Sequence, residues 1–199
     1  NADTTGQVTL TSVADTVVNI TAIDALTTSE VTMAAANVSI TDAGATKTQV
    51  DAVNLFTTGT VTPTSLSEDR ADITTLQGTT GISLATTDIT VTDQVTKAQA
   101  DTINGYTTGQ VILNSVSATV AELAAVEVLN DSEMKFADGG AISVSDAATK
   151  ANADTINAYV TGQVTLTSVS DTVANITAID ALTTSEVTMA AATVNVTNA

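Results

Sequence analysis

GQVTLTSVSDTVANITAIDALTTS, residues 162–185, is the stretch on which the fold turns. Val164 and Leu166 alternate with Thr165 and Thr167, the two-residue period of a half-buried strand. The alternation then stops at Ser and Asp, and Asp171 stands where a helix N-cap is expected. Val173, Ile176, Ile179 and Leu182 follow at steps of three, in about twelve residues of helix-forming text. That spacing drifts around a 3.6-residue helix, so a 3₁₀ or all-β course is the alternative.

AISVSDAATKANADTINAYVTG, residues 141–162, reads the same way: alternating strand, Asp146 as cap, short helix, return. In a divergent copy Ser117 takes the cap position. Gly6, Gly59, Gly109 and Gly162 each follow Thr within a T-G-x-V phrase, so the unit is about 50–53 residues and holds two half-units of about 24–28. Residues 1–43 align with 157–199 without gaps, and about 35 of the 43 positions are identical. A strand with one short helix cannot bury its own apolar face, whereas stacked neighbours can. The expectation is therefore an α/β solenoid of stacked strand-helix coils, leucine-rich-repeat-like in outline, with an all-β solenoid as the alternative. Residues 1–199 form one repeat array, expected to be a fragment of a longer chain.

Composition limits the function classes. Five Lys and Arg stand against 22 Asp and Glu, a net charge of −17, which argues against nucleic-acid and anionic-membrane partners. There is no Cys and no His, so thiolate chemistry, disulfides and imidazole base catalysis are absent. Aromatic residues make up 2%, which leaves Ala, Val, Ile and Leu to build the core. Thr is abundant, as suits strands and their solvated faces.

Several positions recur in register. Lys47, Lys97 and Lys150 precede Asp51, Asp101 and Asp154 by four residues, the spacing of a helix-surface ion pair. Phe56, Tyr106 and Tyr159 share a register and are expected to plug the core at helix ends, as Leu26 and Leu182 do in the other half-unit. The T-x-T phrases at 8–12, 60–65, 89–93 and 164–168 resemble an ice-binding strand face, though Ile112–Asn114, Ser143–Ser145 and Pro63 interrupt the series. Asp131, Glu133 and Asp138 are calcium candidates in the acidic stretch 129–138, which lacks D-x-D-x-D-G spacing; a turn is the plainer reading of its D-G-G. Paired-carboxylate catalysis is disfavoured, because almost every Asp has a repeat-equivalent twin.

The V-x-V-x-D type of run, as at Ile89–Asp93, leads into Ala- and Ile-bearing text in a Thr/Ala/Asp-rich, Cys-free setting. In this the chain resembles large extracellular tandem-repeat surface proteins of cyanobacteria and proteobacteria. The resemblance implies a non-catalytic segment of a surface filament, sheath or surface layer at the cell exterior. Its partners would be identical chains or neighbouring repeats, joined laterally or end to end, with no membrane insertion and no cofactor beyond optional calcium. An adhesin stalk, or an ice- or glycan-binding solenoid, is the alternative.

Overall fold

The computed structural model describes residues 6–26, 30–129, 133–182, 186–189 and 191–197. Its contacts gather into two compact units, residues 1–90 with 105–109, and 91–104 with 110–199. Among the described residues there are seven α-helices and twelve β-strands, a mixed α/β chain in which the strand pairings are parallel. The all-β alternative is thereby excluded.

The first unit runs β1 (Val8–Thr9), β2 (Ser12–Asp15), α1 (Val17–Asp24), β3 (Val31–Thr32), β4 (Asn37–Ile40), α2 (Lys47–Asn54), β5 (Val61–Pro63), β6 (Ser65–Glu68) and α3 (Arg70–Gln77). β1 pairs with β3, and β2, β4 and β5 lie side by side in that order. α2 packs against α1 and α3. The boundary between the units falls inside β7 (Asp88–Thr96).

The second unit continues with α4 (Lys97–Asn104), β8 (Val111–Ala118), α5 (Val120–Glu127), β9 (Met134–Ala148), α6 (Lys150–Asn157), β10 (Val164–Asp171), α7 (Val173–Asp180), β11 (Val187–Thr188) and β12 (Thr193–Val196). β8 pairs with β9, β9 with β10, and β10 with both β11 and β12. The order follows the chain without a reversal. α5 packs on α4 and α6, and α6 on α7.

Pairing is staggered in the same way in both units. Val38 faces Val13 on one side and Val61 on the other, while Ile142 faces Val116 and Val164. Val61 and Val164 are repeat-equivalent to Val8 and not to Val13, so the ladder slips by about five residues per unit. Apolar side chains still align inward, as in the column Val116, Ile142, Val164 and Val187, each at most 3% exposed.

Each helix is eight residues long and not about twelve. Such a helix makes barely two turns, so five of them bury a pair of side chains three apart, Val50/Val53, Ile73/Leu76, Ala100/Ile103, Leu123/Val126 and Ala153/Ile156, and α1 and α7 bury Ile20 and Ile179. The drift across Val173, Ile176, Ile179 and Leu182 is thus cut short, and Val173 is 64% exposed.

The caps are also shifted. Thr172, Thr149 and Thr119 occupy the N-caps expected for Asp171, Asp146 and Ser117. Thr46, Thr119 and Thr149 close capping boxes with Gln49, Glu122 and Asn152, satisfying amides that an eight-residue helix has few other ways to pair. Thr96 and Gln99 exchange the same two bonds at the start of α4. The aromatic register is half-buried, not a core plug: Phe56, Tyr106 and Tyr159 all retain exposure, Leu26 is 44% exposed, and Tyr159 stacks on Phe136 at 6.1 Å.

Candidate functional site

The recurring chemistry lies at the junctions between successive half-units, where two sets of side chains fasten one strand-helix segment to the segment before it.

The first set is carboxylate. Asp42 accepts from the Val17 amide at 2.7 Å, Glu68 from Lys47 at 2.5 Å, Asp146 from Val120 at 2.9 Å and Asp171 from Lys150 at 2.9 Å. The acceptor lies at or near the C-terminal end of a strand, and the donor is the first residue of the preceding half-unit's helix. An anion at a helix N-terminus satisfies an orphan amide and lies at the positive end of the helix dipole. The acids that sequence reasoning assigned as caps of their own helices therefore serve the neighbouring helix. The Lys150 amide, then Asn175 and the Thr172 amide, hold the Asp171 carboxyl below its ordinary value. Asp15 is lowered by the Asn19 side chain and the Thr16 amide, and Glu122 by the Thr119 amide and hydroxyl.

The second set is the T-T-G phrase, which in the sequence served only to mark the period. Thr57 donates its hydroxyl to the Ala36 carbonyl at 2.6 Å, and Thr58 gives both amide and hydroxyl to the Ala34 carbonyl at 2.8 and 3.0 Å. Thr107 and Thr108 repeat this on the Thr87 and Ala85 carbonyls. Thr161 does so on the Asp138 carbonyl, where Val160 replaces the first Thr. The glycine admits the neighbouring backbone: a Cβ at Gly59 would lie 2.2 Å from the Ala36 oxygen, and one at Gly162 2.1 Å from the Gly140 oxygen.

The three expected ion pairs form, Lys97–Asp101 at 2.7 Å and Lys150–Asp154 at 2.6 Å, with Lys47–Asp51 alike. Asp51 raises the Lys47 ammonium above its ordinary value, chiefly through their hydrogen bond.

Of the calcium candidates, Asp131 lies outside the described residues, and Glu133 and Asp138 are exposed. The carbonyls of Glu133 and Asp138 accept from the Val111 and Thr161 amides, each at 2.7 Å. Among the described residues no three metal-ligating side chains converge. The D-G-G phrase is not a free turn: it lies inside β9, where the register slips between Leu113↔Phe136 and Ser115↔Ala141.

The outward strand face is sparse in function. Ser143, Thr165 and Thr188 align with Ser117 in a hydroxyl column, and Thr9 pairs with Thr32 and Ser39 with Thr62 in the first unit. The second Thr of the phrase, Thr167, turns its hydroxyl to the Val144 carbonyl at 2.7 Å. A hollow of about 430 Å³ over β2, β4 and β5 is lined by Ser12, Asn37, Ser39, Thr60, Thr62 and three apolar neighbours, with no titratable group. No helix among the described residues is long and apolar enough to cross a membrane.

No protein-family model matches the chain, and no curated protein or solved structure matches it either.

Proposed function

We propose that the chain is a structural segment without catalysis, an α/β solenoid whose half-units stack as coils, leucine-rich-repeat-like in outline. It serves in an extracellular filament, sheath or surface layer built from identical chains. The observation that carries this reading is the repetition of two junction contacts along the parallel strands: the carboxylate contact recurs at four helix N-termini and the Thr-Gly contact once in each of three successive units. A protein under selection for one reaction concentrates its unusual chemistry in one place. Here the junction contacts are spread along the array, each joining one half-unit to its neighbour. The missing imidazole and thiol and the excess of 17 negative charges sit more easily with a spacer than with a binding face.

The test is the dependence of melting on length. In a stacked array each added unit contributes an interface, while ordering each residue costs about 1–2 kcal/mol of backbone entropy whatever the length. Circular dichroism on chains of one, two, three and four units should show an unfolded or aggregated single unit and a midpoint that climbs with number. A single unit that folds as a soluble monomer with the midpoint of the longest chain would mean independent beads, and the reading would be abandoned.

A further inference from the structure

We infer that Asn37 is an attachment site for an N-linked sugar, whose first ring lies in the hollow over β2, β4 and β5; this rests on the extracellular placement proposed above. Asn37, Val38 and Ser39 spell the N-x-S/T acceptor sequence, which also occurs at Asn19, Asn130, Asn175 and Asn195. By itself that text arises readily in a chain rich in Asn, Ser and Thr. Exposure separates its members from the other asparagines. Asn19, Asn37, Asn175 and Asn195 are exposed, whereas Asn54, Asn104, Asn114, Asn152 and Asn157, which lack the sequence, are half-buried. Asn130 lies outside the described residues.

Hydrogen bonding singles out Asn37. The side-chain nitrogens of Asn19 and Asn175 donate to the Asp15 and Asp171 carboxylates, each at 2.8 Å, and that of Asn195 donates to the Ser170 hydroxyl at 3.1 Å. Asn37 instead accepts the Thr60 amide on its Oδ1 at 3.0 Å. A backbone N–H can be met only by the amide oxygen, so this contact orients the side chain and turns Nδ2 away from Thr60. Among the described residues no acceptor meets that nitrogen.

The surroundings suit a sugar. β4 is extended, so Asn37 and Ser39 share its outward face while Val38 between them is 1% exposed. β2 and β5 pair on either side, with Ser12 opposite Asn37 and Thr62 opposite Ser39. These side chains floor the hollow of about 430 Å³, which falls within the roughly 300–1,000 Å³ of small-molecule sites. The hydroxyls of Ser12, Ser39, Thr60 and Thr62 have no partner among the described residues, and no charged group lines the hollow. Neutral donors and acceptors match the hydroxyls of a sugar ring. Attachment joins Asn37 Nδ2 to the anomeric carbon of a sugar carried on a diphosphate. The bond from that carbon to the diphosphate oxygen breaks, the diphosphate leaves with the electron pair, and one amide proton passes to the transferring enzyme. Oδ1 is untouched, so the bond from Thr60 survives.

Peptide mapping by mass spectrometry, on the chain recovered from the cells that make it, tests this. The peptide containing Asn37 should carry a sugar mass, at higher occupancy than those containing Asn19 and Asn175. Ser39→Ala breaks the acceptor sequence but keeps Asn37 and its bond from Thr60, so it should remove that mass and leave the circular dichroism unchanged. Asn37→Gln should remove it too, and serves if the first variant does not fold. A bare Asn37 as the only species, a sugar on Asn19 or Asn175 with Asn37 bare, or a mass that persists in both variants overturns the inference. A chain recovered at the cell surface with Asn37 bare would remove this inference and leave the filament reading standing, whereas a chain found only inside the cell with Asn37 bare would remove both.

Discussion

TVVNITAID at 16–24 and TVANITAID at 172–180 are almost the same nine letters and form the same Thr-capped helix, yet they bury different residues. In α1 the fourth helical residue, Ile20, is buried and the seventh, Ile23, is half-exposed. In α7 the order is inverted: Ile179 is buried and Ile176 is half-exposed. α1 packs on the helix that follows it and α7 on the helix that precedes it, whereas α5, with a neighbour on both sides, buries both Leu123 and Val126. The fourth position is thus covered in α1 and α5, and the seventh in α5 and α7. Burial here belongs to the junction and not to the helix.

The largest expected effects test that assignment directly. Ile20→Ala should cost about 2–5 kcal/mol in denaturant melts, as a buried truncation does, and Ile176→Ala distinctly less. The order should invert for the other pair, with Ile179→Ala costing more than Ile23→Ala. Equal costs within each pair would break the comparison, because the two faces would then be interchangeable.

The glycine junctions come next. Gly59→Ala and Gly162→Ala push a methyl into a neighbouring backbone carbonyl, so each should lose about 1–3 kcal/mol. Gly139→Ala, with nothing within 4 Å, is the silent control. If all three behave alike, the close approach is not what selects glycine.

Acid titration reads the carboxylate set. A carboxyl whose folded value is depressed stabilises the fold above its unfolded value and loses that contribution as pH falls through the folded one. For Asp171 and Asp15 the window therefore lies at and below 3.8, and for Glu122 at and below 4.5. With no His, no side chain of ordinary pKa titrates between about pH 6 and 8, and the melting midpoint should change little there. Asp171→Asn, which keeps the shape but weakens acceptance from Lys150, should flatten the acid limb by a measurable fraction of the wild-type loss.

Lys97→Ala should have the smallest effect, about 0.2–0.5 kcal/mol, because Lys97–Asp101 is a surface pair on one helix. A loss as large as that of a junction variant would mean that the pair couples half-units after all.

The period, the strand-then-helix order and the surface ion pairs were legible because each is a local property of composition and spacing. Alternation at Val164 and Leu166 specifies one buried strand face whatever lies beside it. Lys and Asp four apart meet on any helix. What the letters could not disclose was whom each group serves. Asp146 and Asp171 look like caps of the helices that follow them, since both mark the end of a strand; the fold turns them instead to the preceding helix, about 21–26 residues back. Thr took the caps because Asp171 already accepts from the Lys150 and Thr172 amides, leaving the Thr172 hydroxyl to meet the Asn175 amide.

The sequence by itself determined the repeat, the order of strand text before helix text and an interior of small aliphatic side chains. Only the tertiary structure decided the five-residue slip of the ladder, the use of Thr-Thr-Gly as a clip, and which isoleucine of two nearly identical helices is buried. Those depend on the neighbouring backbone, and identical letters with different neighbours have no means of recording the difference.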